Sequence, residues 1–434
     1  MEFAATAMME NLKSVLDRVE SEGIAVLHGA EASAMAFLEQ VKQHAIQYPE
    51  PIFAILRRIQ PILFVKNTAL VTRYEDVQEV LSRDQVFQVT YGEKMRIVTG
   101  GNDFFLGMQN SPAYERDTAH MRTVMRREDL DGMIVPFVAK TAGDLVSASG
   151  GRLDVVKQLS TIVPARWVAS YFGCVPPSDA ELAAWGTVIF QYLFTDLTND
   201  PAVGSAARDA AAKTRAWIDA TITKRKAEPG QKDDVLGRCL KLQNIGVSGM
   251  DDLSIRNNLL GLLVGAIPTT SKCCAQALDE LLKRPEQLKK AQDAAQAGDS
   301  ALVSRYVFEA LRFNPNNPAL LRIAAEDYLL AKGSIHEKLI PKGATVVAAT
   351  QSAMFDERIV DAPNDFKIDR PAHIYMHWGY GLHTCFGQYV NQVQIPGILQ
   401  PLLARKNLRR APGDAGQLAY SGPFPSSLGV EFDS

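Results

Sequence analysis

A mainly α-helical fold with a small β region, built as one continuous domain, follows from three features of the sequence. Apolar residues recur at helical spacing along most of the chain, strand-like pieces are few and short, and no repeat, low-complexity tract or Gly/Ser linker divides it. The 434 residues are 47% apolar and 22% charged, ordinary proportions for a soluble protein with a large packed core. A formal charge of −3, with acids and bases interspersed, leaves no basic footprint, so nucleic acid is excluded as an expected partner.

The opening stretch MEFAATAMMENLKSVLDRVE begins acidic and lacks a basic flank followed by an apolar block. It reads as neither a signal peptide nor an anchor, and no apolar run reaches the ~20 residues of a membrane span. No membrane association and a cytoplasmic location are expected. Cys174, Cys239, Cys273, Cys274 and Cys385 are an odd set without framework spacing, which predicts reduced thiols. The first four read as packing residues. Residues 1–49 are expected to form an N-terminal extension with helices, and 50–434 the main core.

Taken in order, ILFVKNTALVTRYEDVQEVLSR predicts two short strands around Lys66 and Asn67, then an amphipathic helix from about Glu75. Phe87 to Met108 mixes aromatics, glycines and apolar residues without steady period and predicts a long irregular loop. From Ala113 to about Gln243 the pattern is mostly helical, broken at CVPPSD and near TDLTNDPAVG. A long buried helix of about 32 residues, ~48 Å, is predicted from GMDDLSIRNN to LLKRPEQ. SRYVFEALRFNP predicts another helix, ALLRIAAED and ATVVAAT predict strands, and a glycine-rich loop precedes a last helix.

The long helix carries a proline at its centre, in GLLVGAIPTTSKCC. A proline there lacks the N–H that bonds back four residues and costs ~3 kcal/mol. Removing the N–H of residue 268 frees the carbonyl of Val264, and Gly265 and Ala266 keep the resulting notch uncrowded. The bland reading is a tolerated kink.

In HWGYGLHTCFGQYVNQVQIPGILQPLL, Cys385 lies between Gly381 and Gly387, just before a segment of helical periodicity. A thiol at a helix N-terminus faces unpaired N–H groups, which predicts a lowered pKa and a thiolate. Such a group is a nucleophile or a metal ligand, and no basic partner for a nucleophile is assignable. Zinc bound by His373, His377, His383 and Cys385 matches no pairwise ligand spacing and leaves the glycines unexplained. Haem iron with one axial thiolate is the other reading.

Here the sequence resembles the cytochrome P450 haem-thiolate family. Trp378, Gly381, His383, Cys385 and Gly387 are similar to its cysteine signature, with tryptophan where phenylalanine is usual. FEALRFNP is similar to its Glu-x-x-Arg helix, which implies that Glu309 and Arg312 pair and brace the loop. Arg322 resembles the arginine that bonds a haem propionate, and PNDFKIDRP resembles the meander before the cysteine. YEDVQEVLSRDQVF and FPSSLGVEF also fit, so the resemblance covers about residues 50 to 432.

The resemblance implies a triangular single domain holding haem b, with Cys385 as axial ligand and His383, Arg322 and Arg126 on the propionates. His120 and Arg122 are further propionate candidates, or part of a solvated basic face. That face, with Arg127, would dock an acidic electron-transfer protein. In the family the long helix carries an acid before a threonine at the oxygen face; here Gly265, Ala266, Ile267, Pro268 and Thr269 occupy that stretch, and proline stands for the acid. Thr269 would bond the Gly265 carbonyl or turn to the oxygen ligand, with core packing as its plain alternative. Val264, Phe104, Phe105, Leu106 and Asn317 are pocket candidates, or core and turn residues.

The implied activity is oxygen insertion into a small hydrophobic molecule, using O2 and electrons from a separate ferredoxin or flavoprotein. Pro268 raises a competing peroxide-using enzyme, a peroxygenase or hydroperoxide isomerase. A non-catalytic haem or ligand sensor is the alternative from another class.

Overall fold

The computed structural model describes residues 50–196, 198–228 and 232–433. The expected N-terminal extension, residues 1–49, lies outside the described residues. The helices are α1 Glu50–Ile59, α2 Tyr74–Ser82, α3 Gly92–Thr99, α4 Pro112–Val124, α5 Val135–Ala148, α6 Ile162–Phe172, α7 Asp179–Phe190, α8 Pro201–Ala227, α9 Val235–Asn244, α10 Asp252–Ala266, α11 Pro268–Leu282, α12 Pro285–Gln296, α13 Ser300–Phe313, α14 Thr350–Ala353 and α15 Gln388–Leu403. The strands are β1 Ile62–Val65, β2 Thr68–Val71, β3 Phe87–Gln88, β4 Arg152–Asp154, β5 Leu320–Ala324, β6 Tyr328–Leu330, β7 Lys338–Ile340, β8 Thr345–Ala348, β9 Arg409–Arg410, β10 Ala419–Ser421, β11 Phe424–Ser427 and β12 Gly429–Glu431.

Helix starts follow their capping residues. Ser111 accepts from the Tyr114 N–H with Pro112 at the first helical position, and Ser178, Asp234, Asp251 and Asp299 cap α7, α9, α10 and α13 in the same way. The main sheet runs β1-β2-β8-β5-β3, with β2 and β8 parallel and the other pairs antiparallel. Its alternating side chains Ala69, Val71, Val346 and Ala348 build a core with α2, while the helices share a second, larger core.

Three expectations need correction. Residues 87–108 are not all loop: α3 forms because Met95, Val98 and Thr99 make a buried face that ends at Gly100 in the left-handed region, φ 82°. The long helix is two helices, since Pro268 starts α11 and Ile267 joins the pieces with φ −90° and ψ −62°. The mostly helical stretch also hides the three-residue β4, which pairs with β12 from the far end of the chain, a non-local partner invisible to local periodicity. Elsewhere the hairpin at Lys66-Asn67, its helix and the strands at 320–324 and 345–348 stand where the sequence puts them.

Candidate functional site

Cys385 stands in a tight loop ahead of α15. Its N–H donates to the Trp378 carbonyl at 2.8 Å, and the Cys385 carbonyl accepts from Gln388 N–H at 3.2 Å. Gly379 and Gly381 have φ of 75° and 73°. A side chain at Gly381 would also collide with the Leu81 carbonyl, so glycine is required there twice over. Gly387 sits at an ordinary φ of −81°, and its N–H bonds the Cys385 sulfur.

The expected lowering of the thiol pKa is not found. Burial pushes Cys385 up, and the Gly387 N–H and the Arg122 charge only oppose it. Cys385 precedes the helix by three residues, so one N–H rather than a full helix end reaches the sulfur, and desolvation wins. A bound metal cation reverses that balance, because a coordinated thiol is deprotonated outright.

Behind the loop, Glu309 and Arg312 on α13 are both fully buried and joined by a 2.7 Å ion pair. Glu309 also accepts from Arg370 Nε at 3.2 Å, Tyr375 OH at 2.9 Å and Lys367 N–H at 3.0 Å, while Arg312 reaches the carbonyls of Met354 and Asp365. The carboxylate is therefore saturated, as a buried charge must be. One residue earlier, Phe308 packs edge-on against Trp378 and its carbonyl bonds His377 Nε2 at 3.0 Å. Burial pulls His377 down to about 4, so its ring is neutral and donates that bond.

A second cluster lacks its counter-charge. Arg322, 4% exposed on β5, donates only to the neighbouring Leu321 carbonyl among the described residues. His383 Nε2 is buried with no partner, and burial together with Arg322 pulls its pKa to about 4. Tyr114 stacks edge-on against His383, and the Thr118 hydroxyl and His120 Nδ1 on the same helix α4 are also unpartnered. Tyr91 is in electrostatic reach of Arg322, Tyr114 and Cys385, and burial pushes its phenol up. A buried guanidinium beside neutral donors, with no carboxylate of the described residues bonded to it, fits acidic groups brought by a cofactor.

α10 and α11 flank the break at Pro268. Val264, Ile267 and Pro268 are buried, whereas Gly265, Ala266 and Thr269 are only partly so, and nothing lies within 4 Å of where a Gly265 side chain would project. Thr269 Oγ1 donates to Gly265 O at 2.5 Å, the first of its two expected roles. Thr270 Oγ1 lies 2.7 Å from Ala266 O and 3.0 Å from Asn391 Oδ1 on α15. Two hydroxyls thus satisfy carbonyls beside the break and tie the kinked pair to the helix that follows the cysteine.

The remaining candidates fall elsewhere. Arg122 donates to Phe386 O at 2.9 Å and lies over the Phe386 ring at 3.9 Å, clamping the loop next to the cysteine. Arg126 and Arg127 are exposed, line an open groove of about 570 Å³ with Arg122 and Asp129, and Arg127 covers the Tyr389 ring at 3.8 Å. Phe104 and Phe105 are 1% exposed in the main core, Phe104 against Gly261 and Phe105 against Phe386 at 5.2 Å, with Leu106 partly buried beside them. The Asn317 carbonyl lies 3.5 Å from Thr350 Oγ1. His373 is exposed, and among the described residues no group of three or more His, Cys, Asp or Glu could hold a metal ion unaided. Cys174, Cys239, Cys273 and Cys274 are buried free thiols. Sequence reasoning missed Tyr91, Tyr114, Thr118, Arg370, Tyr375 and Asn391, whose roles depend on partners distant in sequence.

A single cysteine on a glycine-shaped loop, a braced helix behind it, an anion cradle beside it and a kinked helix tied to the helix that follows it define a haem-thiolate class of site. A family model described as Cytochrome P450 matches residues 189–424. The chain is 28% identical over 312 residues to Cytochrome P450 105A3 of Streptomyces carbophilus, covering 70% of each. It is 23% identical over 427 residues to Psi-producing oxygenase A of Emericella nidulans, covering 85% of this chain but only 39% of that protein. The structure of P450BioI in complex with hexadec-9Z-enoic acid ligated acyl carrier protein superposes with a TM-score of 0.76 at 21% identity, over 91% of this chain and 99% of that one. The chain belongs to the cytochrome P450 family. Its cofactor is haem, and its fold is that of the family.

Proposed function

We propose that the protein is a cytochrome P450 monooxygenase that inserts oxygen into a small, largely hydrophobic molecule. Cys385, the one cysteine on a loop shaped to present it, carries the reading. The cofactor is haem b, which when bound supplies activation of dioxygen by way of its thiolate-ligated iron. Cys385 would be the axial ligand, and the unpartnered His383 Nε2 and Arg322, with Tyr91 and the Thr118 hydroxyl, would hold the propionates. Phe386 and Trp378 keep water from the sulfur.

Gly265 and Ala266 leave room for substrate against the kink. The Thr269 proton is committed to Gly265 O, so its oxygen offers lone pairs to that space and accepts rather than donates. With Pro268 where an acid is usual, protons would arrive through water rather than a carboxylate. Electrons would come from a separate ferredoxin or flavoprotein docked on the groove of Arg122, Arg126 and Arg127. Among the described residues no helix is long and apolar enough to cross a membrane, in keeping with a cytoplasmic enzyme.

The test is turnover of the haem-loaded protein under two electron supplies. Product formed with NAD(P)H, a ferredoxin system and O2 supports the proposal. Product formed only with hydrogen peroxide contradicts it in favour of a peroxygenase, and ligand binding without product under either supply leaves a sensor.

A further inference from the structure

Asn391 is an amide on a helix, α15, whose other buried residues are mostly apolar, Ile395, Ile398, Leu399 and Leu402 among them. It is only 9% exposed, and an amide in such a place is costly unless both of its ends find partners. One end has a partner on another helix: Asn391 Oδ1 lies 3.0 Å from the hydroxyl of Thr270, which is fully buried on α11 one residue past Thr269. The other end is on the cysteine side. Asn391 Nδ2 lies 3.6 Å from the point where a Gly387 side chain would begin, and the Cys385 sulfur lies 3.8 Å from that same point.

Helix α11 turns the matching face to the sulfur. Cys273, three residues after Thr270 and so on the same side of that helix, is in electrostatic reach of Cys385. The Thr270 hydroxyl has one proton and two acceptors, Ala266 O at 2.7 Å and Asn391 Oδ1 at 3.0 Å. The amide has two orientations of equal shape, because its oxygen and nitrogen exchange places on a half-turn. A charged sulfur decides between them: a thiolate repels the carbonyl oxygen and attracts the NH2 group, which keeps Oδ1 on the Thr270 side. Oδ1 then takes the Thr270 proton. The hydroxyl beside the helix break is thereby tied to the charge on Cys385.

We propose that Asn391 is a positioning residue for the Cys385 sulfur, latched by Thr270 so that its amide NH2 faces the thiolate and limits how much electron density the sulfur gives to iron. Groups that hydrogen-bond or orient dipoles toward a metal-bound sulfur set the potential of the metal, and a positive dipole end there makes reduction easier. The Gly387 N–H is the backbone part of that shell. Asn391 is the side-chain part, and Thr270 links it to the kinked pair α10 and α11. The inference rests on the haem-thiolate reading, since a free thiol would give the amide no reason to choose one orientation.

The experiment uses the haem-loaded protein and its Asn391→Leu, Thr270→Val and Thr270→Ser variants. The midpoint potential of each is measured by spectroelectrochemistry, and the carbon monoxide spectrum of the reduced protein reports the thiolate centre separately. N391L and T270V are each expected to keep a thiolate-type band while the ferric–ferrous equilibrium shifts about 10-fold toward ferric, a midpoint ~59 mV more negative. T270S, which keeps the hydroxyl, should match the wild type. A packing role alone would lower the melting temperature of N391L and T270V and leave their potentials in place. If N391L does not load haem, T270V, which alters neither α15 nor the cysteine loop, decides. Midpoints equal to the wild type with the thiolate band present overturn the inference and leave the haem-thiolate reading standing, whereas a wild type without that band overturns both.

Discussion

Thr269 Oγ1 donates its hydrogen to the carbonyl of Gly265 at 2.5 Å, across the break that Pro268 makes in the helix. The hydroxyl thereby satisfies the carbonyl next to the Val264 carbonyl that Pro268 leaves free, and its oxygen is still able to accept. Thr269→Val loses the bond and the acceptor, whereas Thr269→Ser keeps both. We expect T269V to form product with O2 on the order of 100-fold more slowly, T269S to stay near the wild type, and both to keep the substrate-induced spectral change. Equal turnover in T269V and wild type would contradict this role.

The Glu309–Arg312 pair should be indispensable to the folded state. Glu309→Gln leaves Arg312 and Arg370 facing a neutral amide, both guanidinium groups being nearly or fully buried. Breaking a buried pair on one side costs about 3–5 kcal/mol. The denaturant midpoint of E309Q should fall accordingly and haem should be poorly retained; an unchanged midpoint would mean that the pair is dispensable.

Gly381→Ala should prevent haem uptake. Residue 381 is held at φ 73° with the Leu81 carbonyl in the way of any side chain, so the loop must shift and take both Cys385 and the cradle residue His383 with it. The ratio of haem absorbance to protein measures this. Gly265→Ala, with open space at the added methyl, should load haem normally and serve as the control.

His377 gives the apoprotein a pH dependence of defined sign. Its pKa falls from 6.5 to about 4 on folding, through burial first and the Arg312 charge second, against the bond to Phe308 O. Between these values the unfolded chain carries the extra proton. The contribution is complete above about 6.5 and is lost as the pH falls toward 4. Urea midpoints from pH 7 to pH 4 should decline less steeply in His377→Phe than in the wild type, by the equivalent of one proton. Parallel profiles would refute the assignment.

Much of this architecture was legible because its signals are local. The Pro-broken apolar helix, the Ser-Pro and Asp caps and the strands near Lys66-Asn67 declare themselves within a few residues. Cys385, Glu309 and Arg312 were legible as spaced motifs. Local reading failed where desolvation or distant partners decide the outcome. Burial raised the Cys385 thiol that a helix N-terminus would lower, β4 formed only by pairing with β12, and Tyr91 lies in electrostatic reach of Arg322 on a strand far along the chain.

The most direct test of the central claim is the reduced carbon monoxide spectrum of the haem-loaded protein beside that of Cys385→Ser. The account predicts a thiolate-type band in the wild type and its disappearance in C385S, with haem still bound through the Arg322 and His383 cradle. A thiolate-type band that persists in C385S, or is absent from the wild type, would contradict it.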